Sequence, residues 1–218
     1  MPKNSKKQTA ADRKARIEAM RRAEKARERR NRIITITLST AIVAALVGWG
    51  VYAINNANEK QDQKAAAAKK PISGEKTWDA KKLGRTHVQT KVSYPMNPPV
   101  GGNHAPVWMT CNGNVYTKAI PNENAVHSLE HGAVWVTYND KATAADLKTL
   151  AGKVSETPYT LMSPDKTESG TIMLTAWGHQ LSVNTASDPR VDQFLTKYVQ
   201  GPQTPEPGAA CTNGLTAS

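Results

Sequence analysis

The stretch "NENAVHSLEHGAVWVTY", residues 122–138, joins two patterns with different periods. Its first half opens on Asn and Glu and stops at Gly132, which is typical of a short helical turn. Its second half, "GAVWVTY", is apolar and rich in β-branched and aromatic residues, and this composition predicts a strand. A helix that leads directly into a strand indicates a domain in which both kinds of element share one core.

Strand and helix patterns alternate around this stretch. Four runs predict strands: "RTHVQTKVSY" (85–94), "YTLMSP" (159–164), "TIMLTAW" (171–177) and "HQLSVN" (179–184). Two runs predict helices: "TAADLKTLAGK" (143–153), capped by Thr143 and stopped by Gly152, and "SDPRVDQFLTKYVQG" (187–201), capped by Ser187. The predicted fold class is therefore α+β, a single domain with a mixed or antiparallel sheet and two or three helices.

An uncharged segment precedes this domain. Residues 33–53, "IITITLSTAIVAALVGWGVYA", form a helix ~30 Å long, which is enough to cross a hydrocarbon core. Trp49 and Tyr52 stand near one end, where amphipathic rings favour the membrane interface. We therefore predict one N-terminal transmembrane helix over residues 33–54. A cleaved signal peptide is the competing interpretation, but both the charged region and the apolar stretch are long for a signal.

Charge predicts the orientation of this helix in the cell membrane. Residues 1–32 carry 13 basic and 4 acidic side chains, a net charge of +9, whereas the rest of the chain has a net charge of +2. Basic flanks stay on the cytoplasmic side, so residues 1–32 are expected to form a basic cytoplasmic arm. Residues 55–77 would then form a polar linker, partly helical at most, and residues 78–218 an extracytoplasmic domain.

The arm is predicted to meet lipid rather than nucleic acid. It contains no aromatic side chain on which bases would stack. A polybasic run beside a membrane span is explained by topology and by attraction to anionic headgroups. The expected partners are the lipid bilayer and, for an accessory subunit, a membrane protein complex. No nucleic acid partner is expected.

The only two cysteines, Cys111 and Cys211, both follow the predicted span and so lie where disulfides are permitted. We predict a bond between them, which would tie the C-terminal tail to the domain. Closing a loop of this length contributes ~4–5 kcal/mol in the chain-entropy model. The alternative that stays open is a pair of free thiols, one of them a metal ligand.

The histidines of the opening stretch predict a metal site. In a helical turn His127 and His131 lie on one face at chelating distance, whereas in a strand they would be ~13 Å apart. His104 lies in a loop rich in proline and glycine, "YPMNPPVGGNHAPVW" (94–108), and is the expected third nitrogen ligand.

Further candidate ligands extend this set. The carboxylate of Glu130 suits zinc, and the thioethers of Met96 and Met109 suit copper, so the expected cofactor is copper or zinc. The alternative is that the histidines only tie turns together through hydrogen bonds, with no metal. Methionine is also a common filler of gaps in apolar cores.

No enzyme is predicted. Residues 127–131 match H-x-x-E-H, the inverted zinc-protease signature, in which the glutamate is the general base. That signature needs a long helix and a distant acidic ligand, whereas here a glycine and a strand follow at once. Cys111 is expected to be bridged, and no serine stands in a nucleophile-elbow motif.

Four motifs, in this order, resemble a bacterial family known as domain of unknown function 3105 (DUF3105), which is common in actinobacteria. They are "NPPVGGNHAPVWMTCNGNVY" (97–116), "ENAVHSLEHGAVWVTY" (123–138), "TAWGHQL" (175–181) and "YVQGPQTPEPGAAC" (198–211). Where many relatives have Ser-Gly before the first histidine, this chain has Gly101-Gly102-Asn103. The resemblance implies a domain that often follows one membrane helix, and it implies no activity.

Two hypotheses for function follow from the sequence. The first is a non-catalytic, membrane-anchored extracytoplasmic protein that binds copper or zinc through its histidines. The second is an accessory subunit of a membrane complex, such as a respiratory one, with structural histidines and no metal. Metal content distinguishes the two.

Overall fold

A computed structural model describes residues 10–216, so residues 1–9 of the predicted arm and 217–218 of the predicted domain lie outside the described residues. The chain divides into two compact units, residues 1–60 and residues 61–218.

The first described element is a helix of 59 residues, α1 (Ala10–Ala68). Among residues 10–216 it is the one helix long and apolar enough to cross a membrane. The hydroxyls of Thr35 and Thr40 donate to the carbonyls of Asn31 and Ile36, so these polar groups are satisfied inside the helix. The helix continues through residues 55–68, where only partial helix was expected, because alanine, glutamate, glutamine and lysine favour helix there.

The second unit contains a six-stranded sheet and three α-helices. The strands are β1 (Lys76–Thr77), β2 (Asn112–Val115), β3 (Val134–Tyr138), β4 (Thr160–Pro164), β5 (Ile172–Ala176) and β6 (His179–Val183), in the order β1-β6-β5-β3-β4-β2. The helices are α2 (Asn122–Glu130), α3 (Ala144–Ser155) and α4 (Pro189–Tyr198).

The sheet is mixed, as predicted. β4 pairs in parallel with β3, because α3 carries the chain from the end of β3 back to the start of β4. β4 also pairs in parallel with β2 on its other side. The pairs β3–β5, β5–β6 and β6–β1 are antiparallel, as short connections allow. The α+β prediction is therefore confirmed.

Each face of the sheet supports its own apolar core, because side chains alternate between faces along a strand. Val134 and Val136 of β3 pack with Leu150 of α3 and Phe194 of α4 in the first core. Trp135, between the two valines, packs in the second core with Leu129 of α2, both cysteines and Trp177. The second face carries the candidate site.

Two segments differ from the sequence predictions. Residues 85–94 form no strand. Their one β-bridge joins His87 to His104, because the proline-rich loop around His104 lacks the continuous backbone donors that a longer ladder needs. The polar run "NGNV" of β2 was not predicted and pairs with β4, with a register irregularity at its glycine.

The helix ends also differ in detail. Thr143 caps α3 as predicted, with its hydroxyl accepting the Asp146 amide, but the helix passes Gly152 and ends at Ser155. The cap of α4 is Asp188 rather than Ser187, because Pro189 occupies the first helical position and the Asp188 carboxylate accepts the Arg190 amide.

Cys111 and Cys211 lie within disulfide distance, as predicted, with their Cα atoms 4.8 Å apart. The Cys111 amide also donates to the Cys211 carbonyl at 2.8 Å. The C-terminal tail is thereby held against the start of β2.

Candidate metal centre

Helix α2 supplies two side chains of the site, His127 and Glu130, three positions apart and therefore on one side of the helix. Ala125, Val126 and Leu129 of the same helix are fully buried in the second core. This apolar face fixes the rotation of the helix, so the direction of the two polar side chains is set by core packing.

Gly132 ends this helical segment with a φ of +89°, a left-handed conformation that glycine adopts without strain. A Cβ atom at this position would lie 2.5–2.8 Å from side-chain atoms of Gln200 and Thr204. The tail therefore packs directly on the turn that follows α2, and only glycine fits there.

The proline- and glycine-rich loop supplies His104, which is fully buried. Gly101 precedes it with a φ of +148°, and a Cβ atom there would lie 3.2 Å from the Trp177 ring. The backbone can therefore approach Trp177 closely, and the loop carries His104 beneath the surface beside α2.

Four donor side chains converge at this point: His87, His104, His127 and Glu130. One candidate ligand atom from each lies within 4.8 Å of all the others. The centroids of the three imidazole rings are 4.8–4.9 Å apart, so the rings form a nearly equilateral triangle. Three imidazoles and one carboxylate are a donor set that a transition metal can occupy.

Backbone carbonyls fix the tautomers of two of these rings. His104 Nδ1 lies 2.8 Å from the Gly102 carbonyl oxygen, and His127 Nδ1 lies 2.7 Å from that of Ala105. A carbonyl can only accept, so each Nδ1 carries the hydrogen. The neutral His127 ring then keeps a lone pair on Nε2, whereas His104 Nε2 faces the Glu130 carboxylate at 2.9 Å, where a proton or a metal ion must lie between the two atoms. Metal-binding histidines are oriented by contacts of this kind.

The protonation states also favour a cation. Burial raises the pKa of Glu130, but hydrogen bonds from His104 and Arg85 outweigh it and lower the pKa to about 2. Burial lowers the pKa of His127 to about 4, with the Ala105 carbonyl opposing and the neighbouring histidines reinforcing the shift. At neutral pH the site therefore presents an anionic carboxylate and an uncharged imidazole.

The carboxylate of Glu130 is shared with a cationic side chain at the surface. Arg85 Nε donates to Glu130 Oε1 at 2.8 Å, and Arg85 Nη2 lies 3.7 Å from Glu206 Oε1 in the tail. Glu130 Oε2 points the other way, 2.9 Å from His104 Nε2 and 3.8 Å from His87 Nε2. One oxygen of Glu130 is thus anchored, and the other faces the imidazoles.

The predicted ligands fall into two groups. His104, His127 and Glu130 come together in the four-donor cluster. His131 lies beside it, with its ring centroid 4.6 Å from that of His127, but its Nδ1 is 2.7 Å from the Ala210 carbonyl and its Nε2 is 3.9 Å from Glu206.

The two methionines lie outside the four-donor cluster. Met109 is buried in the second core with Cys111 and Tyr116. Met96 is half-buried and lines a groove of about 250 Å³ together with Leu83 and Tyr94. The side chains gathered in the cluster therefore offer nitrogen and oxygen donors.

His87 is the member of the cluster that sequence reasoning missed. It lies in the segment predicted as a strand, 17 positions before His104. No local spacing links the two histidines, because only the bridge between their backbones brings them together. The signal in the sequence was the presence of one more histidine after the predicted membrane span.

The chain matches the model of a known protein family. No curated protein and no solved structure matches this chain. The model of the family described as "Protein of unknown function (DUF3105)" matches residues 87–213, which is more than half of the 218 residues and includes all four donors of the cluster. The chain therefore belongs to the DUF3105 family.

Proposed function

We propose that this protein is a membrane-anchored metal-binding protein whose folded domain holds a zinc ion between His87, His104, His127 and Glu130. The observation that carries the proposal is the convergence of these four donors within 4.8 Å, with the rings of His104 and His127 each oriented by a backbone carbonyl at Nδ1.

The donor set favours zinc over copper. Imidazole nitrogen and carboxylate oxygen are the common ligands of Zn²⁺, whereas Cu(I) prefers thiolate and thioether sulfur. Met109 is buried in the second core, Met96 lines a separate groove, and the two cysteines are paired with each other. The four-donor cluster therefore favours zinc. Cu(I) would prefer a methionine or cysteine sulfur, and the cluster consists of three histidines and one glutamate.

The number of donors favours binding without catalysis. Four protein ligands complete a tetrahedron, whereas catalytic zinc sites keep one position open for water or substrate. The peptidase interpretation of residues 127–131 also needs both histidines on one ion. His131 instead faces Glu206 of the tail.

The anchor and its orientation are part of the proposal. Helix α1 is long and apolar enough to cross a membrane, and the basic arm before the apolar segment favours a cytoplasmic N-terminus. The close pair Cys111–Cys211 suits an oxidising compartment, which agrees with an extracytoplasmic domain.

Metal analysis tests the proposal. The full-length chain, purified in detergent without a metal-binding tag and incubated with zinc, is expected to retain one zinc ion per chain. His127→Ala and Glu130→Gln should lose it, whereas His179→Ala should retain it because His179 pairs with Glu75 outside the cluster. A wild-type protein that stays metal-free at micromolar zinc and copper contradicts the proposal and favours the accessory-subunit hypothesis.

A further inference from the structure

One ligand of the cluster is exposed, while the others are buried. The side chain of His87 is 48% exposed, compared with 0% for His104 and 2% for Glu130. His127 is also buried. Three of the four donors are therefore buried, and His87 is the donor that solvent reaches.

The His87 ring is also the least constrained. Carbonyl groups hold the rings of His104 and His127, whereas no described residue accepts a hydrogen bond from the ring of His87. Its nearest polar contact within the cluster is Glu130 Oε2, 3.8 Å from Nε2. The ring stacks on that of His127 at 4.8 Å and meets the edge of that of His104 at 4.9 Å, so ring contacts with its fellow ligands hold it in the absence of a hydrogen bond.

The backbone beside His87 is fixed. The Val88 amide donates to the His104 carbonyl at 2.7 Å, and the His104 amide donates to the Thr86 carbonyl at 3.1 Å. The ring can therefore leave the cluster by rotation about its own side-chain bonds, without movement of the main chain. The remaining three donors keep their positions.

We propose that His87 is the exchangeable ligand of this site, through which the zinc ion is passed to a soluble or protein-borne chelator that offers neutral imidazole or thiolate donors. This inference rests on the proposed function. The step is a ligand substitution: the bond from zinc to His87 breaks, a bond from zinc to the incoming donor forms, and no electron is transferred. An incoming thiol releases its proton to the solvent.

Exposure explains why substitution takes place at this ligand. An incoming donor must reach the ion while the other three ligands still hold it, and the solvent edge at His87 is the side that buried protein does not block. The protein then acts as a donor of zinc rather than as a permanent holder. A site whose four ligands were all buried would release its ion only by local unfolding.

Stopped-flow transfer tests this inference. The full-length protein in detergent is loaded with zinc and mixed with the chromophoric chelator 4-(2-pyridylazo)resorcinol. The transfer rate is expected to rise in proportion to chelator concentration, because the chelator takes part in the step. A rate independent of chelator concentration would mean unassisted dissociation and would overturn the inference.

Variants at the same position separate exchange from simple binding. His87→Ala should still take up one zinc ion per chain. Its transfer of zinc to the chelator should be about tenfold faster or more, and a tenfold change in rate corresponds to a barrier lower by about 1.4 kcal/mol. His87→Cys restores a donor and should return the rate toward that of the wild type. His104→Ala should take up no zinc.

Two further results would overturn the inference: wild-type transfer rates in His87→Ala, or a loss of zinc in it as complete as in His104→Ala. Failure of the proposed function has a different signature, because a wild-type protein without that function takes up no zinc before any chelator is added.

Discussion

His104 Nε2 lies 2.9 Å from Glu130 Oε2, although the other ring nitrogen of His104 is already 2.8 Å from the Gly102 carbonyl. A neutral ring with its hydrogen on Nδ1 turns a lone pair toward a carboxylate, which is repulsive. A proton or a metal ion between the two groups removes the repulsion. This pair therefore makes the folded domain sensitive to whatever cation is bound.

Zinc is expected to stabilise the folded domain through this pair. A ligand that binds only the native state at 100 times its Kd contributes about 2.7 kcal/mol, which raises the Tm of a domain of this size by about 5 °C or more. Glu130→Gln removes the charge and should abolish the zinc-dependent shift. Thermal unfolding of the full-length protein, followed by tryptophan fluorescence with zinc or with a chelator, measures it. Equal shifts in the variant and the wild type would contradict the prediction.

The candidate site was predictable where local spacing determines it. His127 and Glu130 share a side of α2 because of the helical period. His104 was predicted as a ligand from its position in the loop rich in proline and glycine. His131 also has helical spacing from His127, but it is the C-cap residue of α2, and its ring binds the tail through the Ala210 carbonyl. His87 reaches the cluster only through a long-range backbone bridge, which a period in the sequence does not encode.

For the fold too, elements with a local sequence pattern were predicted and elements set by long-range pairing were not. Strands with an apolar, β-branched pattern, such as β3 and β5, were predicted because burial imposes that pattern. The polar strand β2 was missed, because its place at the sheet edge comes from pairing with β4 and from the neighbouring cysteine bridge. Residues 85–94 have the pattern of a strand but lack a partner strand.

The predicted membrane helix is expected to place the basic arm in the cytoplasm and the folded domain on the other side of the membrane. Alkaline phosphatase fused after Ser218 should be active, since it folds only in an oxidising compartment, and a fluorescent protein fused at the same point should be dark when exported in the unfolded state. The basic arm is the cause, so replacing six of its arginines with glutamate should reduce the phosphatase signal. A fluorescent C-terminal fusion with inactive phosphatase would contradict this topology.

Glu168 is expected to make stability fall as the pH rises. It is 5% exposed, and its carboxylate has Thr137, which opposes a rise in its pKa, and the like-charged Asp165, which reinforces it, as neighbours. Burial raises its pKa to about 8, so the folded state keeps a proton that the unfolded state releases near pH 4.5. The contribution of Glu168 to the free energy of unfolding is therefore fully present below pH 4.5. It is lost as the pH rises to 8, and the loss amounts to at most about 5 kcal/mol.

The variant Glu168→Gln tests this prediction, because glutamine copies the shape of the protonated acid and does not titrate. Urea unfolding of the zinc-free protein between pH 5 and pH 8 should show a smaller pH dependence in the variant. If the free energy of unfolding changed with pH by the same amount in both proteins, the pKa of Glu168 would not be raised and the prediction would be wrong.

The cysteine pair is expected to hold the tail against the site. The two cysteines are 100 residues apart, and a bond between them stabilises the fold by about 4–5 kcal/mol in the chain-entropy model. The double variant Cys111→Ser, Cys211→Ser should therefore lose most of this energy in urea unfolding. Released from the bridge, the segment with Glu206 and Ala210 should also exchange its amide hydrogens faster. An unchanged exchange rate there would mean that the hydrogen bonds of the tail suffice without the bridge.

Two glycines are expected to respond to alanine in opposite directions. Gly152 lies inside α3 with nothing within 4 Å of the position of a Cβ atom, so Gly152→Ala should stabilise the domain by about 0.5–1 kcal/mol. Gly132 has a φ of +89°, and the new methyl group would meet Gln200 and Thr204 of the tail. Gly132→Ala should therefore destabilise the domain by more than about 1 kcal/mol.

The second substitution has a consequence for zinc as well. The carbonyl of Gly132 accepts the Gln200 amide at 2.9 Å, and the Glu130 carbonyl accepts the Glu206 amide at 3.1 Å, so a displaced tail disturbs both ends of this turn. Gly132→Ala should weaken zinc binding, whereas Gly152→Ala should leave it unchanged because α3 packs on the opposite face of the sheet. Urea unfolding and zinc titration of the two variants measure these effects. Equal zinc affinity in both would show that the tail does not position Glu130.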